Sequence, residues 1–318
     1  MTDPTSAARD TAQHTARDSA CDSAIRVSPP PADAAAPDVT AQTLAAYWAE
    51  EAGPRWVRDS ARHDAELAPM LAAMLTAAGP QPGERVVDIG CGAGTSTIAV
   101  AELVGATGRV VGVDVSPPLV AEMERRVAAA TTASPELQIE TLLANAQDAA
   151  LPGPFDLLVS RFGVMFFADQ VVAWRNMRRA MAPDGRAVVI VWQGPSANLW
   201  LTAPVNAALA VSPAPEPPIA PGAPGAEAMA DPAVTRQRLA AAGWRDVGFQ
   251  DLRPMIDLGA DIDRAIDNVR SLPSVAGAIE RAGADRVLQA VRASLDPYVA
   301  SDGVVRMQAA AWVVTARA

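Results

Sequence analysis

The sequence predicts an α/β protein with a doubly wound, mostly parallel sheet, a helical N-terminal extension and cap insertions. Three observations predict it. Short β-branched runs alternate with helix-length segments between residues 83 and 193, a pattern that covers a parallel sheet on both faces. The first run, Arg85-Val-Val-Asp-Ile89, leads directly into Gly-Cys-Gly-Ala-Gly94, as a strand does when it turns sharply into a helix. The second, Arg109 to Val113, ends in Asp114, roughly 20 residues past the glycines, where a carboxylate can reach ribose hydroxyls.

The elements follow in order. Residues 1–40 are Ala, Ser, Thr, Asp and Pro with no apolar core, so they read as a disordered tail and not a secretory signal. Residues 41–79 read as helices, with Leu67, Met70, Leu71 and Met74 at helical spacing. Strands are expected near 85–89, 109–114, 138–143, 156–160 and 186–192, within a cofactor-binding core over 80–193. Thr95 to Val104 reads as the helix after the glycine turn. Residues 195–230, rich in Pro, Ala and Gly, are expected to form a long structureless insertion. A helix near 232–242, a strand near 245–252, cap helices within 261–300 and a last strand near 307–316 complete seven strands. Loops at the strand C-termini line one edge of such a sheet, and the ligand belongs there.

Composition narrows the chemistry. The 318-residue chain is long enough for a substantial core. It has no Lys, which excludes Schiff-base chemistry and a lysine base. A formal net charge of -10 argues against a nucleic-acid partner. Two cysteines, Cys21 and Cys91, and two histidines, His14 and His63, cannot build a disulfide framework and make a zinc site an unsuitable reading. No apolar run reaches the ~18 residues of a membrane span, so the expectation is a cytoplasmic protein.

The glycine loop discriminates among nucleotide-type cofactors. A dinucleotide site reads G-x-G-x-x-G, but here Thr95 holds the third place and Gly94 falls one residue early. Asp88 would repel a pyrophosphate and suits a cationic ligand. S-adenosylmethionine (SAM) carries a sulfonium, an ammonium and a ribose, and no phosphate.

Asp88-Ile-Gly-Cys-Gly-Ala-Gly94 with Val113-Asp114 resembles the cofactor motifs of the class I SAM-dependent methyltransferases, above all the small-molecule branch that includes ubiquinone/menaquinone-type enzymes. Phe155 to Ser160, Met177 to Val191 and Val304 to Arg317 resemble the later strands of that fold, so the likeness spans roughly 41 to 318. It implies a Rossmann-like seven-stranded sheet, SAM as cofactor and methyl transfer to an O, C or N atom of a small-molecule acceptor. A homodimer is compatible with the sequence.

The resemblance also assigns residues. Asp88, Gly90, Cys91, Gly92 and Gly94 would form the cofactor loop, and Asp114 with Val115 the ribose site. Asn145 and Ala146 would meet the adenine, although the family usually has an acid where this chain has Asn145. Ser160 closes the fourth strand beside the cofactor, and Trp56 or Trp48 would offer a π face to the sulfonium. Catalytic residues are less defined. His63 is the ready neutral-pH base, its competing reading being a solvated helix-face histidine. Arg161, the lone charge in an apolar stretch, would steer an anionic substrate group or form a structural ion pair. The acidic box of amino-directed methyltransferases is absent after the fourth strand, where Phe162, Met165, Phe166 and Phe167 stand instead. Scarcity of His, Lys and Tyr fits a reaction driven by proximity. An NAD-type oxidoreductase and a non-catalytic SAM-binding protein are the alternatives.

Overall fold

Parallel strands need buried, β-branched backbone on both faces, and the chain supplies it in Val86–Val87, Val110–Val111 and Val188–Val191. The computed structural model describes residues 40–214 and 223–318. The expected tail lies outside the described residues except for Thr40.

Four short helices lead in: α1 (Ala41–Ala46), α2 (Gly53–Arg58), α3 (Ser60–Glu66) and α4 (Ala68–Ala78), with a π-helical turn at Tyr47–Ala52 between the first two. Thr40 starts α1 with a reciprocal cap against Thr43. Gly79, at φ 48°, ends α4 in the left-handed conformation that glycine adopts without strain. The core then alternates β1 (Arg85–Ile89), α5 (Thr95–Val104), β2 (Arg109–Asp114), α6 (Pro117–Ala133), β3 (Ile139–Leu143), β4 (Phe155–Arg161), α7 (Gln170–Arg179) and β5 (Met181–Trp192).

These five strands are parallel, and β1 sits between β2 and β4. The chain therefore winds outward from β1 in one direction through β2 and β3, and in the other through β4 and β5. A crevice opens at such a reversal, outside the carboxyl ends of the strands. After α8 (Leu199–Val211) and α9 (Pro232–Ala241), two antiparallel strands, β6 (Arg245–Leu252) and a final strand at Ala311–Arg317, extend the sheet to seven. This is the expected α/β class and strand number.

The remaining elements form a cap. They are β7 (Met255–Gly259), α10 (Ile262–Val269), α11 (Pro273–Ala282), α12 (Ala284–Leu295) and β8 (Val305–Gln308); β9 is the final Ala311–Arg317 strand of the main sheet. Strands β7 and β8 pair with each other as a separate antiparallel ribbon. Helix α8 packs against α11 and α12. Val275, Ala278, Val287, Val291, Leu295 and Ala208 are fully buried between these helices.

Three expectations need correction. The 195–230 insertion is not structureless: 199–211 is helical, and an apolar surface that can be buried in the cap outweighs the helix-breaking tendency of Pro204. The last strand is two strands, because Ala309 and Ala310 leave both ladders to bond Pro254 O and the Asn198 side chain. The strand β7, one of the two in the ribbon, was not expected; its burial alternates residue by residue, as a half-buried strand requires. No described helix is long and apolar enough to cross a membrane.

Candidate cofactor and acceptor cavity

A cavity of about 560 Å³ opens at the carboxyl ends of β1, β2 and β4, within the ~300–1,000 Å³ usual for ligand sites. Its lining is mixed in character. Part is backbone and carboxylate: Gly90, Cys91, Gly92, Asp114 and Val115. Part is aromatic or cationic: Trp48, Trp56, His63, Arg161, Phe166 and Trp192.

The glycine loop takes its shape from internal hydrogen bonds. The amides of Gly90 and Cys91 both donate to Val113 O, at 2.8 and 3.1 Å. The Gly94 amide donates to Cys91 O at 3.0 Å, and the Gly92 amide to Asp114 Oδ2 at 2.8 Å. Phosphate-binding loops work by presenting free amides to the anion. Here four of the loop's amides are already taken, and one is taken by a carboxylate. At the three glycines themselves, therefore, no amide is left to cradle a pyrophosphate. At Gly92, φ 56°, an added Cβ would meet nothing within 4 Å, so this turn of backbone leaves open space for a ligand to approach.

Asp114 is fixed from both sides. Its Oδ2 accepts from Gly92 and its Oδ1 from the Ser116 amide at 2.9 Å. Burial pushes its carboxyl above the usual range, opposed by these amide bonds. A carboxylate has about four acceptor positions, so acceptor capacity remains for ligand hydroxyls. Ser116 does not cap α6 with its side chain; its hydroxyl donates to Trp48 O at 2.7 Å and so holds the N-terminal helices against the loop.

Asn145 and Ala146 line the cavity after β3. Asn145 Oδ1 accepts from the Gln147 amide at 3.0 Å, an Asx turn that shapes the loop. Cys91 also lines it as a buried thiol, its pKa raised well above normal by burial.

Three predicted cofactor residues stand behind the wall. Asp88 is fully buried and accepts from the hydroxyls of Ser96 at 2.6 Å and Thr97 at 2.7 Å. It holds the start of α5 to β1, and burial pushes its carboxyl upward. Gly94, at φ 85°, is needed for packing, since a Cβ there would lie 2.7 Å from Met123 Cγ. Ser160 donates to Ile89 O at 2.6 Å and accepts from the Val164 amide at 3.2 Å, so it ties β4 to β1. Ligand contact was expected of Asp88 and Gly94 from the glycine motif and of Ser160 from the end of the fourth strand, but none of the three lines the cavity.

A second glycine contact sets the floor. A Cβ on Gly90 would fall 2.5 Å from Gly163 Cα, and one on Gly163 would fall 2.6 Å from Gly90 Cα. The loop after β1 and the loop after β4 thus touch backbone to backbone.

The aromatic rings form two groups. Trp48 meets Phe166 edge-on at 5.1 Å, and Trp56 stacks on His63 at 4.0 Å. Phe162 stacks on Trp192 at 4.0 Å, and Trp192 contacts Trp200 at 5.4 Å. Trp200 Nε1 donates to Asn198 Oδ1, and Asn198 Nδ2 reaches Gln193 O and Ala310 O, so one buried amide places the cap's tryptophan.

His63 is a cavity residue and not a solvated helix-face histidine. Its pKa is lowered to about 4, first by burial and then by Arg62. Sequence reading missed the charges around it. Asp64 accepts from Thr95 Oγ1 at 2.6 Å and pairs with Arg126 at 2.8 Å. No local motif joins these three residues, which lie 31 and 62 positions apart from Asp64.

Comparison with known proteins agrees with this geometry. Residues 86–185 match the family model of the methyltransferase domain. The chain is 33% identical over 120 residues to the nocamycin O-methyltransferase of Saccharothrix syringae, covering 37% of this chain and 41% of that protein. It is 32% identical over 111 residues to the demethylmenaquinone methyltransferase of Lysinibacillus sphaericus, covering 35% and 45%. The chain thus spans less than half the length of these relatives. The YcgJ protein of Bacillus subtilis superposes with a TM-score of 0.51 at 15% identity, over 78% of this chain and 97% of that one, which shows the shared fold. Residues 86–185 thus carry a methyltransferase domain.

Proposed function

We propose that the protein transfers a methyl group from SAM to a small-molecule acceptor held in the same cavity. The observation that carries the reading is the consumption of the loop's own amides beside Asp114. It supports a phosphate-free adenosine cofactor and disfavours the NAD alternative. SAM would supply a methyl carbon activated by its sulfonium. In this reading Asp114 holds the ribose hydroxyls, Gly90 and Gly92 let the ligand approach the backbone, and Asn145 with Ala146 bound the adenine. Trp48 and Trp56 supply aromatic faces, where cation–π contact is worth about 0.5–2 kcal/mol.

The residues' contribution to rate is orientation. Fixing two reactants can supply ~7–11 kcal/mol, and the rigid aromatic wall with its buried supports suits that task. Calorimetry tests the cofactor directly: S-adenosylhomocysteine should bind and NAD should not, and the reverse would overturn the proposal. Turnover of labelled SAM against fractionated metabolites then identifies the acceptor.

A further inference from the structure

Arg161 is a buried cation with little to hold it. Its side chain is 11% exposed. Its two contacts are both long: Nη1 to Leu67 O at 3.4 Å and Nη2 to Asp64 Oδ1 at 3.8 Å. Good N–H···O bonds lie at ~2.7–3.2 Å. Two carboxylates act on it, and both are already committed: Asp64 pairs with Arg126 and accepts from Thr95, and Asp88 accepts from Ser96 and Thr97. A guanidinium has five donors and no acceptor. Removing such a charge from water is costly unless a partner answers it.

His63 stands on the same stretch of wall. The Leu67 amide donates to His63 O, and the Leu67 carbonyl accepts from Arg161. The His63 ring has Arg62 Nη2 at 3.2 Å from its Nε2. Arginine can only donate, so Nε2 is the acceptor and Nδ1 carries the hydrogen. That Nδ1 is buried and without a partner. The titratable groups facing the ring are Arg62, Asp59, Asp64 and Arg161, and the other face is covered by Trp56. A buried donor left unmade is unfavourable, as is a half-answered cation. Arg161 and His63 both belong to residues that line one cavity, as do Trp48 and Phe166, whose rings meet edge-on.

We propose that Arg161 and the Nδ1–H of His63 together form the docking point for an ionised oxygen of the acceptor, and that the acceptor is a planar aromatic oxyacid. Arg161 contributes the charge and His63 a directional hydrogen bond. The flat substrate body lies along the Trp48–Phe166 wall. His63 then acts as a donor and not as a general base, because its basic nitrogen is occupied by Arg62. This inference rests on the methyl-transfer reading of the cavity.

The test uses the full chain saturated with S-adenosylhomocysteine, with 2-naphthoate and its neutral amide, 2-naphthamide, as probes in calorimetry. The naphthoate should bind at least 10-fold more tightly than the amide. Arg161→Met should abolish that preference, Arg161→Lys should restore part of it, and His63→Phe, which keeps the stack on Trp56, should reduce it several-fold. Equal binding of the two probes, binding of neither, or a preference that survives Arg161→Met overturns the proposal. Retained S-adenosylhomocysteine binding shows that each variant is folded. If S-adenosylhomocysteine itself fails to bind the wild type, the methyl-transfer reading is what falls. Nitrogen-15 histidine spectra give a readout independent of any ligand: with only two histidines in the chain, His63 should display the Nδ1–H tautomer, and the Nε2–H tautomer would refute the assignment.

Discussion

The indole of Trp56 lies nearly parallel to the imidazole of His63, 30° apart with centroids separated by 4.0 Å. The stack withdraws the imidazole from water, and Arg62 beside it adds a like charge. The His63 pKa falls to about 4, from 6.5. The folded protein therefore binds fewer protons than the unfolded chain between those values, and stability is lost as pH drops from about 6.5 toward 4. His63→Phe removes that term while keeping an aromatic stack. Thermal denaturation across pH 7.5 to 4.5 should show the wild type losing more stability than His63→Phe over the acid half. Parallel curves for the two proteins would contradict the depressed pKa.

Asp114→Asn tests the ribose site. The variant keeps the shape but loses the charge and turns one oxygen into a donor. Hydrogen bonds to charged groups contribute ~1.5–3 kcal/mol, so S-adenosylhomocysteine affinity should fall about 10- to 100-fold by calorimetry. Unchanged affinity would remove Asp114 from the ligand's contacts.

Gly90→Ala combines two penalties. The residue sits at φ 65° and its new methyl would press on Gly163 Cα at 2.5 Å. Strain and overpacking together should cost about 2–4 kcal/mol, visible as a lowered denaturation midpoint with weaker S-adenosylhomocysteine binding. An unaltered midpoint would mean the two loops can separate freely.

Ser160→Ala separates support from contact. It breaks two buried hydrogen bonds, to Ile89 O and from Val164 N, and should lower stability by about 1–3 kcal/mol. Because the side chain lies behind the cavity wall, affinity for S-adenosylhomocysteine should move less than threefold. A large affinity loss at unchanged stability would return Ser160 to the ligand's surroundings.

The sheet was legible because its signal is local. Val86–Val87 and Val110–Val111 are buried on both faces and need no partner to be recognised as strands. Asp114 and the alternate glycines were legible for the same reason. What stayed hidden depends on distant partners. Helix α8 reads as loop because Pro204 and the Pro- and Gly-rich sequence after it obscure an apolar helix that only α11 and α12 make worthwhile. The strand β7 is only five residues long and has meaning only against β8, roughly 50 residues later. Asp88 and Gly94 sit inside the glycine motif and Ser160 at the end of a strand, but position along a chain does not say which side of a turn a group faces. Arg161 could be singled out as an isolated charge, yet Asp64, which half-answers it, lies on an unrelated helix.

The contact between Gly90 and Gly163 carries a consequence for how this protein can change. The loop after β1 and the loop after β4 are gauged against each other by bare backbone, with no room for a methyl on either. In the proposed reading the first faces the cofactor and the second the acceptor, so the distance between donor and recipient is machined into the scaffold. New acceptors would then be accommodated by exchanging side chains on α8, α10 and the leading helices, while any exchange at that seam carries a penalty in stability.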